Sequence, residues 1–197
     1  MANARITNET ILSDEKYTFK RIDFDLQKKN GDWQSQKREV FDHGNAVTVL
    51  LYNPEEKTVL LTKQFRIATY VNGNADGMLL ETPAGLLDEN ESPEEAMLRE
   101  IREETGYALT SVQKVFEAYS TPGSVTELIH YFVAPYRKDQ KQGEGGGLEE
   151  EGEDVTVVEL PFAEAVQMMN NGSIRDAKTL LLLHYALLKK LVGESSL

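Results

Sequence analysis

Between Gly85 and Tyr107 the chain reads GLLDENESPEEAMLREIREETGY, a dense run of carboxylates. At 3.6 residues per turn Met97, Leu98 and Ile101 share one helical stripe, and Glu100, Glu103 and Glu104 fall on an adjoining one. Glu100 and Glu104 are like charges one turn apart, which costs a few tenths of a kcal/mol (about 0.2–0.5) in an isolated helix. A hard divalent cation offsets that cost. Mg²⁺ takes oxygen ligands, keeps several waters and is usually held by one or two carboxylates together with substrate phosphates. Arg99 stands one turn before Glu103 and can pair with it, fixing the direction of that carboxylate.

These side chains need a helix with defined ends. Ser92 is suited to cap it, Pro93 to open it, and Ser92 with Glu95 forms a capping box. Thr105 and Gly106 close it, glycine being free to take the left-handed conformation that ends many helices. The spacing predicts a helix over Pro93 to Glu104, with its metal-binding carboxylates exposed. An acidic run is usually a solvated helix face. Here, however, Gly85, Glu91, Arg99, Glu100, Ile101, Glu103, Glu104 and Gly106 stand in one fixed register. That register resembles the signature box of the Nudix hydrolases. Tyr107 departs from it as an aromatic where an aliphatic residue is commoner.

A chain of 197 residues with 40% hydrophobic content has the size of one domain, or of one domain with an added arm. The absence of cysteine excludes disulfides and thiolate metal sites and favours a reducing interior. No signal peptide is visible, and no apolar run approaches the ~20 residues that span a bilayer; a cytoplasmic protein without membrane partners is expected. The net charge of -12 argues against nucleic acid, which surplus Lys and Arg would grip. It does not exclude an anionic substrate that arrives with Mg²⁺ and meets a few local cations.

In chain order, Tyr17 to Leu26 and Trp33 to Val40 read as a hairpin turned at Asn30-Gly31. A hairpin alone is marginal, so it must rest on the domain or on a partner chain. Ala46 to Tyr52 reads as a buried strand, Thr58 to Thr62 as its neighbour, and Met78 to Glu81 as the strand that delivers the chain to Gly85. Val112 to Tyr119, Leu128 to Ala134 and Val155 to Leu160 complete the strands. Arg137 to Asp154, rich in Gly and Glu, reads by composition as a flexible linker inside the domain. An amphipathic helix from Pro161 to Gly172 and a Leu-rich helix capped by Asp176 close an α+β layered domain.

The resemblance extends beyond the box. LSDEKY, QKREVFDHGN, KQFRIAT, AGLLD, STPGSVTELIH, GGGLEEE and IRDAKT are similar to segments of the nucleotide-sugar hydrolases within the Nudix superfamily, above all the GDP-mannose pyrophosphatases. It implies an α/β/α sandwich over residues 45–197 and an N-terminal β-hairpin arm over 1–44 that dimerises. It implies hydrolysis of a nucleotide sugar to a nucleoside monophosphate and a sugar phosphate, with Mg²⁺ as cofactor and Mn²⁺ as its substitute. The metal ligands it implies are the Ala84 carbonyl, Glu100, Glu104 and Glu151. The proton of the attacking water falls to Glu151 or Glu150, with Glu103 and Glu104 as further catalytic carboxylates. Substrate contacts are implied at Ala84, Gly85, Leu86, Glu104, Glu127, Glu150 and Glu151, and for the diphosphate at Arg66 and Lys178. Tyr17, Lys37, Arg38 and Glu39 would reach the site of a dimer partner, with Tyr17 on the base. Pro122, 16 positions after Gly106, is a feature shared with ADP-ribose pyrophosphatases, which keeps ADP-ribose as the alternative substrate. A binding module without turnover would be expected to have lost Glu100, Glu103 or Glu104, and all three are present.

Overall fold

The computed structural model describes residues 3–193. The described residues divide into two compact units, one made of residues up to 45 with 118–129 and the other of 46–117 with those from 130 on.

The first unit is built on a three-stranded antiparallel sheet of β1 (Ala4–Asp14), β2 (Thr18–Gln27) and β3 (Trp33–Asp42), with β2 in the middle. The sequence reading anticipates β2 and β3 but not β1. Its register on β2 shifts between Ile6 and Asn8 and again between Ile11 and Ser13. Each bulge inserts a residue and breaks the alternation by which a strand is recognised.

The second unit holds β4 (Ala46–Asn53), β5 (Thr58–Phe65), a short helix α1 (Ile67–Val71), β6 (Met78–Glu81) and β7 (Ala84–Leu86). The box helix α2 (Pro93–Glu100) follows, then β8 (Gln113–Tyr119), β9 (Leu128–Pro135), β10 (Thr156–Pro161), α3 (Phe162–Asn170) and α4 (Ala177–Lys189). The strand order is β10-β5-β4-β9-β8, with β6 paired to β5 and β7 paired to β4. The outer ends of β8 and β9, with their turn, belong to the first unit.

β4 explains the layering. Val47, Val49 and Leu51, alternate residues on one face, join Met97 and Ile101 in a buried cluster with Phe132 and Tyr136. Thr48, on the opposite face, bonds Thr82 at 2.8 Å, and the Thr82 amide donates to Thr179 of α4 at 2.7 Å. Helices therefore cover both faces of β4, and a strand buried on both faces reads as the continuous apolar run seen in the sequence.

Candidate active site

The box helix forms as its sequence dictates at the start: the Ser92 hydroxyl accepts from the Glu95 amide, the Glu95 carboxylate accepts from the Ser92 amide, and Pro93 opens the first turn. It ends differently. The α-helix stops at Glu100 and continues as a π-helical turn over Ile101–Thr105, closed by Gly106 at φ 75°. Such widened turns recur at functional sites, and this one carries Glu103 and Glu104.

Arg99 organises the cluster. Its guanidinium donates to both oxygens of Glu91 at 3.2 and 3.1 Å, to Glu100 at 2.8 Å, to Glu103 at 3.0 Å and to the Leu86 carbonyl at 3.2 Å. The planar fork suits such multiple recognition. The pairing with Glu103 that the helical spacing suggests is present, and the same side chain ties Glu91 and Leu86 to the helix.

Glu100 and Glu104 are buried, at 8% and 0% accessible, which corrects the expectation that these ligands are exposed. β7 lies directly over them. A Cβ placed on Gly85 would fall onto the Glu100 carboxylate, so glycine leaves the room that this carboxylate occupies. The Ala84 amide donates to Glu104 Oε2 at 3.1 Å, while Oε1 is buried with no hydrogen-bond partner. Burial pushes the Glu100 carboxyl up to about 7, although Arg99 beside it works in the opposite direction. Burial, and then the charge of Glu100, holds Glu104 well above the usual carboxylate range, only partly opposed by the Ala84 N–H.

Two desolvated carboxylates with an orphaned oxygen fit a divalent cation, which would supply the missing partner and charge. Among the described residues no group of three or more His, Cys, Asp or Glu side chains gathers to hold a metal alone. One or two carboxylates completed by groups from outside the protein are the habit of Mg²⁺.

The glycine-rich segment after β9 is not the flexible linker its composition suggests. The amides of Gly146 and Gly147 donate to the Glu104 and Glu103 carbonyls at 2.9 and 3.1 Å, and those of Gln142 and Gly143 donate to the Gly106 carbonyl at 2.8 and 3.1 Å. These bonds satisfy carbonyls that a helix end leaves orphaned. A Cβ on Gly145 would strike the backbone at Glu104 and Thr105. The segment is thus latched to the turn that carries the carboxylates. Glu153, which composition did not single out, accepts from the Leu148 amide at 3.0 Å, and its charge is felt at both Glu100 and Glu104. Glu150 lies exposed in the short turn Glu149–Glu151; the Glu151 side chain falls outside the described residues.

Arg66, at the end of β5, donates from Nε to Glu81 Oε2 at 2.8 Å, and Lys178 of α4 donates to Glu81 Oε1 at 3.3 Å and to Asp176 at 2.7 Å. The Arg66 charge also reaches Glu104. In the first unit Tyr17 meets Phe41 and His43 at centroid distances of 5.7 and 5.3 Å, and Glu127 lies 3.8 Å from His43. Lys37, Arg38 and Glu39 are exposed on β3, and Arg38 lines a groove of about 550 Å³ with Ile22, Phe24, Tyr119 and Pro122. Among the described residues no helix is long and apolar enough to cross a membrane.

A strand delivering a glycine-led acidic helix to the face of a covered sheet, with a desolvated glutamate pair at the helix end, suits hydrolysis of a pyrophosphate bond with a bound cation. Comparison with known proteins agrees. Residues 42–183 match the NUDIX domain, and residues 3–41 match the GDP-mannose pyrophosphatase NudK N-terminal domain. The chain is 51% identical over 191 residues to GDP-mannose pyrophosphatase of Salmonella arizonae, covering 97% of this chain and 98% of the relative. It is 52% identical to that of Salmonella paratyphi B, covering 91% and 93%, and 50% identical to that of Shigella dysenteriae, covering 95% and 96%. The chain belongs to the Nudix family.

Proposed function

We propose that this protein hydrolyses the diphosphate bond of a nucleotide sugar, converting GDP-mannose and water to GMP and mannose 1-phosphate. One observation carries the reading: the buried Glu100–Glu104 pair is intact in a chain half identical, over nearly its whole length, to GDP-mannose pyrophosphatases. Glu100, Glu104 and the Ala84 carbonyl, joined by a loop carboxylate, would hold Mg²⁺, or Mn²⁺ in its place, which would supply charge neutralisation and polarisation of the diphosphate oxygens.

The chain's own residues do the rest. Arg99 fixes the directions of Glu100 and Glu103. Arg66 and Lys178 present cations to the diphosphate. Gly85 leaves room for the Glu100 carboxylate, and the Leu86 carbonyl, held by Arg99, keeps β7 against it, where Ala84, Gly85 and Leu86 would meet the substrate. The proton of the attacking water goes to a loop carboxylate, for which Glu151 and Glu150 are the candidates by resemblance and Glu153 joins them by its field at Glu100 and Glu104. Glu103, bound to Arg99, is less available as a base.

The N-terminal unit fits the same reading as a dimerisation arm that presents Tyr17, Lys37, Arg38 and Glu39 to the partner's nucleotide, with Glu127 orienting substrate. In support, β1 is an edge strand and leaves Ile6 and Ile11 more than half exposed, at 64% and 62%. The absence of cysteine supports a cytoplasmic setting.

Product identification on GDP-mannose and on ADP-ribose, each with Mg²⁺ and with EDTA, tests the proposal. Faster, metal-dependent GMP and mannose 1-phosphate is the expected result. Faster AMP and ribose 5-phosphate would transfer the substrate to ADP-ribose, the reading that Pro122 favours, and no product from either would overturn the activity.

A further inference from the structure

Glu81 is the last residue of β6, three positions before Ala84, and no role follows for it from the box. It is 3% accessible, and its two oxygens are divided between two cations from distant parts of the chain. Oε2 takes Arg66 Nε at 2.8 Å and Oε1 takes Lys178 Nζ at 3.3 Å. Arg66 is engaged there through Nε, which leaves the terminal nitrogens of the guanidinium outside this contact. Lys178 gives two of its three N–H donors to Glu81 and Asp176, so at most one remains for another acceptor. Asp176 is itself fixed, because its other oxygen caps α4 by accepting from the amide and hydroxyl of Thr179 at 2.9 and 2.8 Å.

Like charges drawn to one carboxylate repel each other, and the burial of Glu81 and the partial burial of Lys178 keep solvent from screening that repulsion fully. Burial disfavours the Lys178 charge, yet Asp176 and Glu81 outweigh it and hold the ammonium above its ordinary pKa, while Arg66 opposes it. Without Glu81 the two cations would separate. With it, both are charged and held before any ligand arrives, and Arg66 is near enough for its charge to reach Glu104.

We propose that Glu81 is a positioning residue that holds Arg66 and Lys178 as a preformed cation pair for the substrate diphosphate. This rests on the reading of Arg66 and Lys178 as diphosphate contacts and deepens it. Glu81 touches neither substrate nor the reacting atoms; it acts through the two cations. Glutamine in its place could still accept from Arg66 but would set an N–H against the Lys178 ammonium.

A double-mutant cycle on Glu81→Gln and Arg66→Ala tests this, read as kcat and KM for GDP-mannose at saturating Mg²⁺ and, independently of turnover, as Kd for GDP with Mg²⁺. We expect each single variant to raise KM and Kd by about 10- to 100-fold, by analogy with the loss when a partner that orients a metal ligand is removed. The double variant should be no worse than the weaker-binding single, because both changes remove one unit. The half-saturating Mg²⁺ concentration should stay within about twofold of wild type, since Glu100 and Glu104 are untouched, and Glu81→Asp, which keeps the charge, should recover part of the loss. Additive losses, a Glu81→Gln variant that binds GDP like wild type, or a shift in Mg²⁺ dependence at unchanged KM would overturn the role. If Glu81→Gln does not fold, Glu81→Asp carries the same cycle. Coupled losses in GDP binding without turnover of GDP-mannose by any of the proteins would uphold the positioning role and remove the substrate reading.

Discussion

Glu100 and Glu104 set the behaviour of the molecule at the residue scale because they are charges taken out of water. Glu100 has an ordinary value of 4.5 and is raised to about 7 by burial. In the unfolded chain it ionises at the lower value, so without metal its contribution to stability is lost as pH rises from about 4.5 to about 7. Glu100→Gln removes that loss. In EDTA its melting temperature should therefore gain on wild type as pH rises from about 5 to about 8, and a gap that stays constant would contradict the assignment. The same comparison separates Glu100 from His130, which buries a neutral ring and titrates alike in both proteins. Gly85→Ala should act on the same carboxylate from outside. The new Cβ falls on the flexible end of the Glu100 side chain, which can swing away, so the fold should survive within about 1 kcal/mol while the half-saturating Mg²⁺ concentration rises about tenfold or more. Unchanged Mg²⁺ dependence would show that the close approach has no function. The positions of these residues were readable from their spacing. Their burial was not, since it depends on β7 and the glycine segment closing over them from elsewhere in the chain.

The element that composition misrepresents is that glycine segment. Glycine and glutamate in abundance signal a solvated linker, but here glycine is needed for backbone to lie on backbone. Gly145 has φ 72°, and a Cβ on it would strike the Glu104 carbonyl. Gly152 has a similar φ of 75° with open space around it. Gly145→Ala should therefore cost about 2 kcal/mol or more, combining a left-handed backbone with overpacking, whereas Gly152→Ala should cost about 1 kcal/mol from the backbone alone. Urea midpoints of the two variants measure the difference, and equal losses would mean that the latch on the Glu104 carbonyl is not formed. The box helix shows the opposite case. Its capping box and apolar stripe were legible because they are local, and Met97 and Ile101 are indeed fully buried. Its π-helical end was not legible, because it coincides with amides donated from residues about forty positions later, at Gly146 and Gly147. β1 escaped for a different reason, its two bulges having erased the alternation.

At the scale of the whole molecule, the sequence of strands and helices gave the α+β class, and β4 carries the layering by presenting alternate faces to α2 and α4. The first unit has little interior of its own and an exposed apolar edge on β1. We expect the protein to sediment as a dimer and Ile11→Glu to shift it toward monomer, with a rise in KM for GDP-mannose if the arms complete the partner's site. A wild-type monomer with full activity would remove the arm from the account. The proposed activity needs less than the dimer: only that the buried Glu100–Glu104 pair take up a divalent cation. Glu104→Gln, measured for turnover and for melting temperature with Mg²⁺ and with EDTA, tests it most directly. Turnover should fall by at least about a hundredfold, the melting temperature in EDTA at pH 8 should be no lower than that of wild type, and the stabilisation by Mg²⁺ should be lost. Full turnover, or a variant that Mg²⁺ still stabilises as it does wild type, would contradict it.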